Sequence, residues 1–236
     1  MSCLRFQGSN ILETIGAGLF RMKESRKAAK PAIASSSTDD ATRLDSRREI
    51  LDAAAALLRQ HGYKSTTLRE IATAVGIKAG SIYYHFSSKD EIVAAVMNDG
   101  VDHVLKGVQD ALDALPKSTD PGARVEVAIR AHLEALLSLS DYTSAGLKAY
   151  ADVPESVRSV ARPHRRQYEA VWSELVRDLV DARQAPEGLS SEALTLAIFG
   201  MMNWSPEWYR ARHHRIEDIA RDFAAIVVCP KPAGKG

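Results

Sequence analysis

The stretch Thr66–Asp90, TTLREIATAVGIKAGSIYYHFSSKD, constrains the fold more than any other part of this 236-residue chain. It reads as two short helices joined by a tight turn. Thr67 and Glu70 have the spacing of a capping box, in which the hydroxyl and the carboxylate each accept a backbone N–H at a helix start. Leu68, Ile71, Ala72 and Val75 then recur every three or four residues, the period of a one-sided helix. Gly76 ends that helix, because glycine takes the positive φ of a sharp helix–helix turn at little cost. Lys78, Ala79, Gly80 and Ser81 open the second helix, and Ile82 and Phe86 pin it to the core. The small residues let the helix start come close to a partner, while Lys78, Ser81, Tyr83, Tyr84 and His85 face outward. Such a helix suits the major groove of DNA, whose width admits one α-helix. Ser87 or Ser88 caps a third helix, whose exposed N-terminal N–H groups form a phosphate site with Lys89. A helical hairpin inside a larger bundle would show the same apolar stripe. It would not need the small residues, or two tyrosines beside a histidine and a lysine.

Residues 48–97 resemble the DNA-binding domain of the TetR family of bacterial repressors. The matching residues are the helix Glu49–His61, its stop at Gly62-Tyr63, Thr66-Thr67, Ile71-Ala72, Val75-Gly76-Ile77, Gly80 through Phe86, and Ser88-Lys89. The resemblance implies an all-α homodimer, with an N-terminal three-helix helix-turn-helix domain and a helical ligand-binding and dimerisation domain. It also implies that Thr67, Lys78, Ala79, Gly80, Ser81, Tyr83, Tyr84, His85 and Lys89 lie at or near the DNA, with Tyr84 and Lys89 holding phosphates.

Charge is distributed in the same sense. The chain carries only +1 overall, but residues 42–90 hold eight Lys/Arg against five Asp/Glu, and residues 91–236 hold seventeen against twenty-one. The basic part is the part expected to meet phosphate, and long-range attraction is modest. Cys3 and Cys229 form no ligand pattern, which fits a reducing, cytoplasmic setting. No apolar run has the length of a membrane span, and Ile11–Phe20 lacks the features of a signal peptide. No nucleophile elbow, phosphate loop or HExxH motif is present, so the sequence offers no catalytic residue and calls for no cofactor. His213 and His214 are adjacent and face different ways on a helix, so they make no metal site.

Four segments are expected. Residues 1–41 form a disordered N-terminal extension, rich in Lys, Ala and Ser around 23–40, which reads as a solvated tail, a basic DNA-touching arm or an artefact upstream of a true start at Met22. Residues 42–90 form the helix-turn-helix domain, 91–229 the ligand-binding and dimerisation domain, and 230–236 a disordered tail. In the second domain, helices are expected over about 89–115, 123–140, 144–152, 155–184 with Pro163 as a candidate kink, 190–204 with a continuation at Pro206, and 215–229.

The apolar faces of the last two helices are wider than one stripe, which suits a four-helix bundle shared by two subunits. Leu194, Ile198, Met201, Ile219, Phe223 and Ile226 are the expected dimer contacts, although the same faces could be buried within one subunit. A palindromic site needs two recognition helices one turn of DNA apart.

The segment Gly200–Arg210, GMMNWSPEWYR, gathers Met201, Asn203, Trp204 and Trp208, residue types that make adaptable ligand walls. Upstream, Arg158, Arg162, Arg165 and Arg166 lie on one helix with Tyr168, and Arg165 and Arg166 are the candidates for an anionic ligand group. The competing reading makes the tryptophans core and the arginines a solvated face paired with Glu155, Glu169 and Glu174. This combination is similar to the TetR-type repressors of fatty-acid, phenylacetate and sterol catabolism, several of which answer to acyl-CoA thioesters. The expected partners are therefore a double-stranded DNA operator, a second copy of the chain and a small hydrophobic or acyl-CoA-type effector, with no membrane. Ligand-independent DNA binding, nucleoid association and drug-responsive control of efflux are the alternatives.

Overall fold

The computed structural model describes residues 37–137 and 141–230. Among them are nine helices: α1 (Ser37–Ser65), α2 (Leu68–Val75), α3 (Ala79–Ile82), α4 (Lys89–Asp113), α5 (Pro121–Leu137), α6 (Asp141–Ala149), α7 (Glu155–Asp181), α8 (Ser191–Trp208) and α9 (Ile216–Val227). No strand occurs among the described residues. The expectations for residues 1–36 and 231–236, including Cys3 and the basic arm, lie outside the described residues. The helix α1 begins at Ser37, inside the stretch expected to precede the fold.

Local chemistry sets the helix ends as the sequence suggests. Thr67 Oγ1 accepts from Glu70 N at 3.2 Å, and Glu70 Oε2 accepts from Thr67 N at 2.8 Å, which completes the capping box of α2. Gly76 takes φ 78°, ψ 23° and returns its N–H to the last turn of α2. Gly62 breaks α1 at φ 75°, ψ 178°. Ser88 and Ser190 cap α4 and α8 through their hydroxyls. Pro163 leaves α7 continuous, and Pro206 lies inside α8 where a separate continuation was expected.

The second helix of the reading motif is shorter than expected. Regular α-helix covers only Ala79–Ile82, and Tyr83–His85 form turns. There, Tyr84 N bonds to Ser81 O at 3.2 Å and His85 N to Ile82 O at 2.9 Å. These three-residue steps tighten the chain before Ser88 starts α4.

Two apolar cores form. One joins Val108, Ile129, Leu133, Trp172, Leu179, Leu194, Ile198 and Met202 from α4, α5, α7 and α8 with Ala220 and Val227 of α9. The other joins Ile50, Leu51, Leu58, Ile71, Ile82, Phe86 and Ile92. That second core also takes in Tyr142, Ala145 and Ala149 of α6 and Val157 and Ala161 of α7. Packing therefore crosses the 90/91 boundary expected from the sequence.

The two helices α4 and α6 meet closely at Gly100, where an added Cβ would lie 2.8 Å from the Tyr142 carbonyl oxygen. Alanine normally stabilises a helix relative to glycine, and here the backbone of α6 reverses the sign. We expect Gly100→Ala to lower unfolding free energy by about 1–3 kcal/mol, the usual cost of overpacking. Gly107→Ala, whose new Cβ would meet only Ala135 Cβ at 3.8 Å, should be neutral or stabilising. Urea unfolding of the two variants checks this, and equal midpoints would refute it.

Candidate nucleic-acid interface and ligand cavity

The face offered to DNA is built from α3 and the turns after it. Lys78, Ala79 and Gly80 are exposed, and Tyr83 and Tyr84 are 61% and 80% exposed. Ser81 and His85 are half-buried. Ile82 and Phe86, both fully buried, hold this edge in place, and Arg47 lies over the Phe86 ring at 4.8 Å. The Lys78 side chain makes no capping bond. Gly80 has open space where a Cβ would stand. Nothing among the described residues therefore requires a glycine there.

Two of the expected DNA residues have internal partners. Thr67 Oγ1 is engaged with Glu70 in the cap. Lys89 Nζ donates to the carbonyls of Tyr63 at 2.9 Å and Thr66 at 3.0 Å, and sits 3.9 Å from the Tyr63 ring centroid. Beside it Tyr63 OH donates to Asp90 at 2.7 Å, and burial, then the Asp90 carboxylate, pushes the phenol up to about 12. Lys89 thus ties the start of α4 to the end of α1.

A cavity of about 610 Å³ opens among α4, α5, α6, α7 and α8. Val104, Leu136, Tyr142, Phe199, Leu196 and Tyr168 supply apolar wall. Of the expected ligand residues, Arg165, Tyr168 and Asn203 line it. The others do not. Arg166 is exposed, Met201 packs half-buried on the core, and Trp204 is 66% exposed. Trp208 packs edge-on against Phe223 and His214. On a helix that is apolar all round, sequence period cannot separate the wall from the opposite side.

Arg162, not among the expected ligand residues, lines the cavity and is paired with Glu155. Arg165 pairs with Glu169 at 2.7 Å and lies 4.8 Å from the Tyr150 ring centroid. His132 was also missed, and its place in the apolar run of α5 was the available signal. It is 3% exposed, and its Nδ1 lies 2.6 Å from Tyr168 OH. Its ring packs with Tyr168 and Trp172.

The expected dimer residues differ in exposure. Leu194, Ile198 and Ile219 are 2%, 0% and 7% exposed and pack in the protomer's own core. Met201 and Phe223 are half-buried, and Ile226 is 63% exposed. The outward stripe of α8 is Ala193, Ala197, Gly200 and Trp204.

One wall residue connects the cavity with the DNA-reading part. Tyr142 lines the cavity, and its hydroxyl donates to Asp52 of α1 at 2.5 Å. Around it, Arg59 pairs with Asp141 at 2.6 Å, and Lys148 Nζ donates to the carbonyls of Arg59 and Gln60 at 2.9 and 3.0 Å. Lys64 pairs with Asp152 at 2.6 Å. No group of three or more His, Cys, Asp or Glu could hold a metal ion among the described residues. No described helix is long and apolar enough to cross a membrane.

Comparisons with known proteins agree with this geometry. Residues 50–96 match the bacterial regulatory proteins of the tetR family, and residues 118–229 match the tetracyclin repressor-like C-terminal domain. The chain belongs to the tetR family of bacterial regulatory proteins, and is a DNA-binding transcriptional regulator, not an enzyme. It is 27% identical over 195 residues to the HTH-type transcriptional repressor KstR2 of Mycobacterium tuberculosis, covering 80% of this chain and 94% of KstR2. It is 29% identical over 160 residues to the HTH-type transcriptional activator FasR of Mycolicibacterium smegmatis, covering 66% of this chain and 70% of FasR. The structure of AibR in complex with isovaleryl coenzyme A and operator DNA superposes with a TM-score of 0.69 at 21% identity, covering 78% of this chain and 99% of that one.

Burial of His132 gives a pH signature. Desolvation pushes its imidazole down to about 4 from 6.5, against a smaller opposing effect of Asn203. Between those values the unfolded chain binds a proton that the folded chain refuses, so stability rises with pH through the window and is lost as pH falls through it. The expected loss between pH 6.5 and 4 is on the order of 3 kcal/mol. Urea unfolding at stepped pH should show it for the parent chain, and His132→Phe should flatten the curve between pH 6.5 and 5. Parallel curves would refute the assignment.

Proposed function

We propose that this chain is a homodimeric repressor, working on a palindromic operator in the bacterial cytoplasm and released by an acyl-CoA-type ligand. The observation that carries the ligand response is Tyr142. The same side chain forms cavity wall and holds α1, on which the DNA-reading helices pack. A ligand that displaces Tyr142 favours a different placement of α1, and differential affinity of this kind is what shifts such an equilibrium. The apolar chamber suits an acyl chain, and its volume is that of a ligand pocket. Arg162 and Arg165 are held by half-exposed carboxylate pairs, with the Tyr150 ring beside Arg165. Such pairs are weak, so coenzyme A phosphates can compete for them. The isovaleryl coenzyme A bound by AibR supports the same ligand class. An uncharged drug is the competing ligand, and it leaves the arginines unexplained.

The proposed dimer contact is the α8 stripe of Ala193, Ala197, Gly200 and Trp204 with Ile226 of α9. Two copies meeting there supply the two reading helices that a palindrome requires. Lys78, Ala79, Gly80, Ser81, Tyr83, Tyr84 and His85 form the proposed groove face. Thr67 and Lys89 sit beside the phosphates, where the backbone N–H of Lys89 at the start of α4 can contribute.

Gly80 gives a direct test. Because a Cβ there meets nothing in the protomer, Gly80→Leu should leave thermal unfolding unchanged and weaken operator binding at least tenfold, an energetic loss of about 1.4 kcal/mol. Footprinting of the gene's upstream DNA at physiological salt reads both the palindrome and the loss. No protected palindrome, or full binding by the variant, would reject the DNA face.

The ligand reading is tested by dissociating the operator complex with acyl-CoA thioesters, free fatty acids and aromatic drugs. Thioesters should release the DNA. Tyr142→Phe, which removes the hydroxyl from Asp52, should keep the cavity and reduce release severalfold. Release by drugs alone would transfer the function to drug response, and unchanged release by the variant would remove Tyr142 from the pathway.

A further inference from the structure

The cavity wall contains one buried polar atom without a hydrogen-bond partner, His132 Nε2. His132 is only 3% exposed and stands on α5 among aromatic rings. Such an atom costs stability unless a partner arrives. The Asn203 side chain on α8 lies within reach of the ring and favours its protonated form, but makes no hydrogen bond of ordinary geometry to Nε2. Asn203 is itself an exposed cavity residue, so a ligand in the cavity can compete with it for the ring.

The neighbours also favour one placement of the ring proton. Trp172 Nε1–H can only donate, and it approaches the Tyr168 oxygen without a completed hydrogen bond. With its lone pair turned to Trp172, the phenol offers its proton to His132 Nδ1, 2.6 Å away. A neutral imidazole that accepts at Nδ1 donates at Nε2.

We infer that His132 Nε2–H is the reader of a carbonyl oxygen in the effector, so that the cavity selects an apolar molecule bearing a thioester or ketone over one of the same shape without it. The inference rests on the cavity's being the effector site. It deepens the acyl-CoA reading but does not depend on coenzyme A. A neutral donor set among aromatic rings rewards an acceptor and offers a carboxylate no countercharge of its own.

Three measurements on the full chain test this. Nitrogen-15 NMR of the ligand-free protein reports the tautomer, and the Nε2–H form is expected. A proton on Nδ1 would overturn the proposal. Titration with hexanoyl-CoA and its carbonyl-free counterpart, S-hexyl-CoA, compares molecules that differ at one group. The parent chain should bind the thioester about ten- to a hundredfold more tightly, the worth of one buried hydrogen bond. His132→Phe should lose the preference and keep its affinity for the thioether, while Asn203→Ala should keep the preference. Equal binding by the parent chain, or a preference that follows Asn203 instead, would overturn it. If His132→Phe does not fold, the tautomer and the parent chain's preference still decide. Failure of both coenzyme A compounds would remove the acyl-CoA reading alone. 4-Hexylcyclohexanone against hexylcyclohexane then poses the same question, and no preference for the ketone would overturn the carbonyl reader as well.

Discussion

The DNA-reading helices do not close their own core. Ile50, Leu51, Leu58, Ile71, Ile82 and Phe86 are buried together with Tyr142, Ala145 and Ala149 of α6 and Val157 of α7. Removing that cover would expose a continuous apolar face, which water penalises in proportion to its area. The glycine at position 100 lets α4 and α6 approach without an intervening side chain. Helices packed this closely have few alternative arrangements, so a change at one surface is passed on as a displacement of the whole element.

Polar groups reinforce the same joint. Lys148 takes two carbonyls at the end of α1, and Lys89 takes two more after Gly62. Both cations satisfy acceptors that a helix end leaves open. Lysine on a basic domain is readily assigned to phosphate, yet these two have structural work. Among the described residues Lys78 and Tyr84 have no comparable partner, and the exposed tyrosine pair is costly to keep in water unless something else covers it. The contrast separates residues that build the reader from residues that read.

Inside the cavity, burial controls charge. His132 is held neutral by desolvation, and the Tyr168 phenol is raised well above its ordinary value by the same cause. The arginines at the wall keep solvent and carboxylate partners. The chamber is thus neutral at its aromatic end and cationic at its mouth, a polarity matched by a molecule with an apolar body and an anionic head.

The sequence by itself determined the helix-turn-helix. Thr67–Glu70, Gly76, the stripe from Leu68 to Val75 and the small residues before Ile82 act within a few positions of one another, and local backbone physics gives them one outcome. It also placed most helices, because caps and glycine stops are local. Only the tertiary structure decided which side of each later helix faces what. In α8, Leu194 and Ile198 turn inward and Ala197 and Trp204 outward, although all four are apolar and periodicity treats them alike. Arg162 and Arg165 reach the cavity while Arg166 faces solvent, one residue apart on the same helix. His132 became a candidate only when α5, α7 and α8 enclosed it, because an unpartnered nitrogen is a property of what surrounds a residue, and distant segments supply those surroundings.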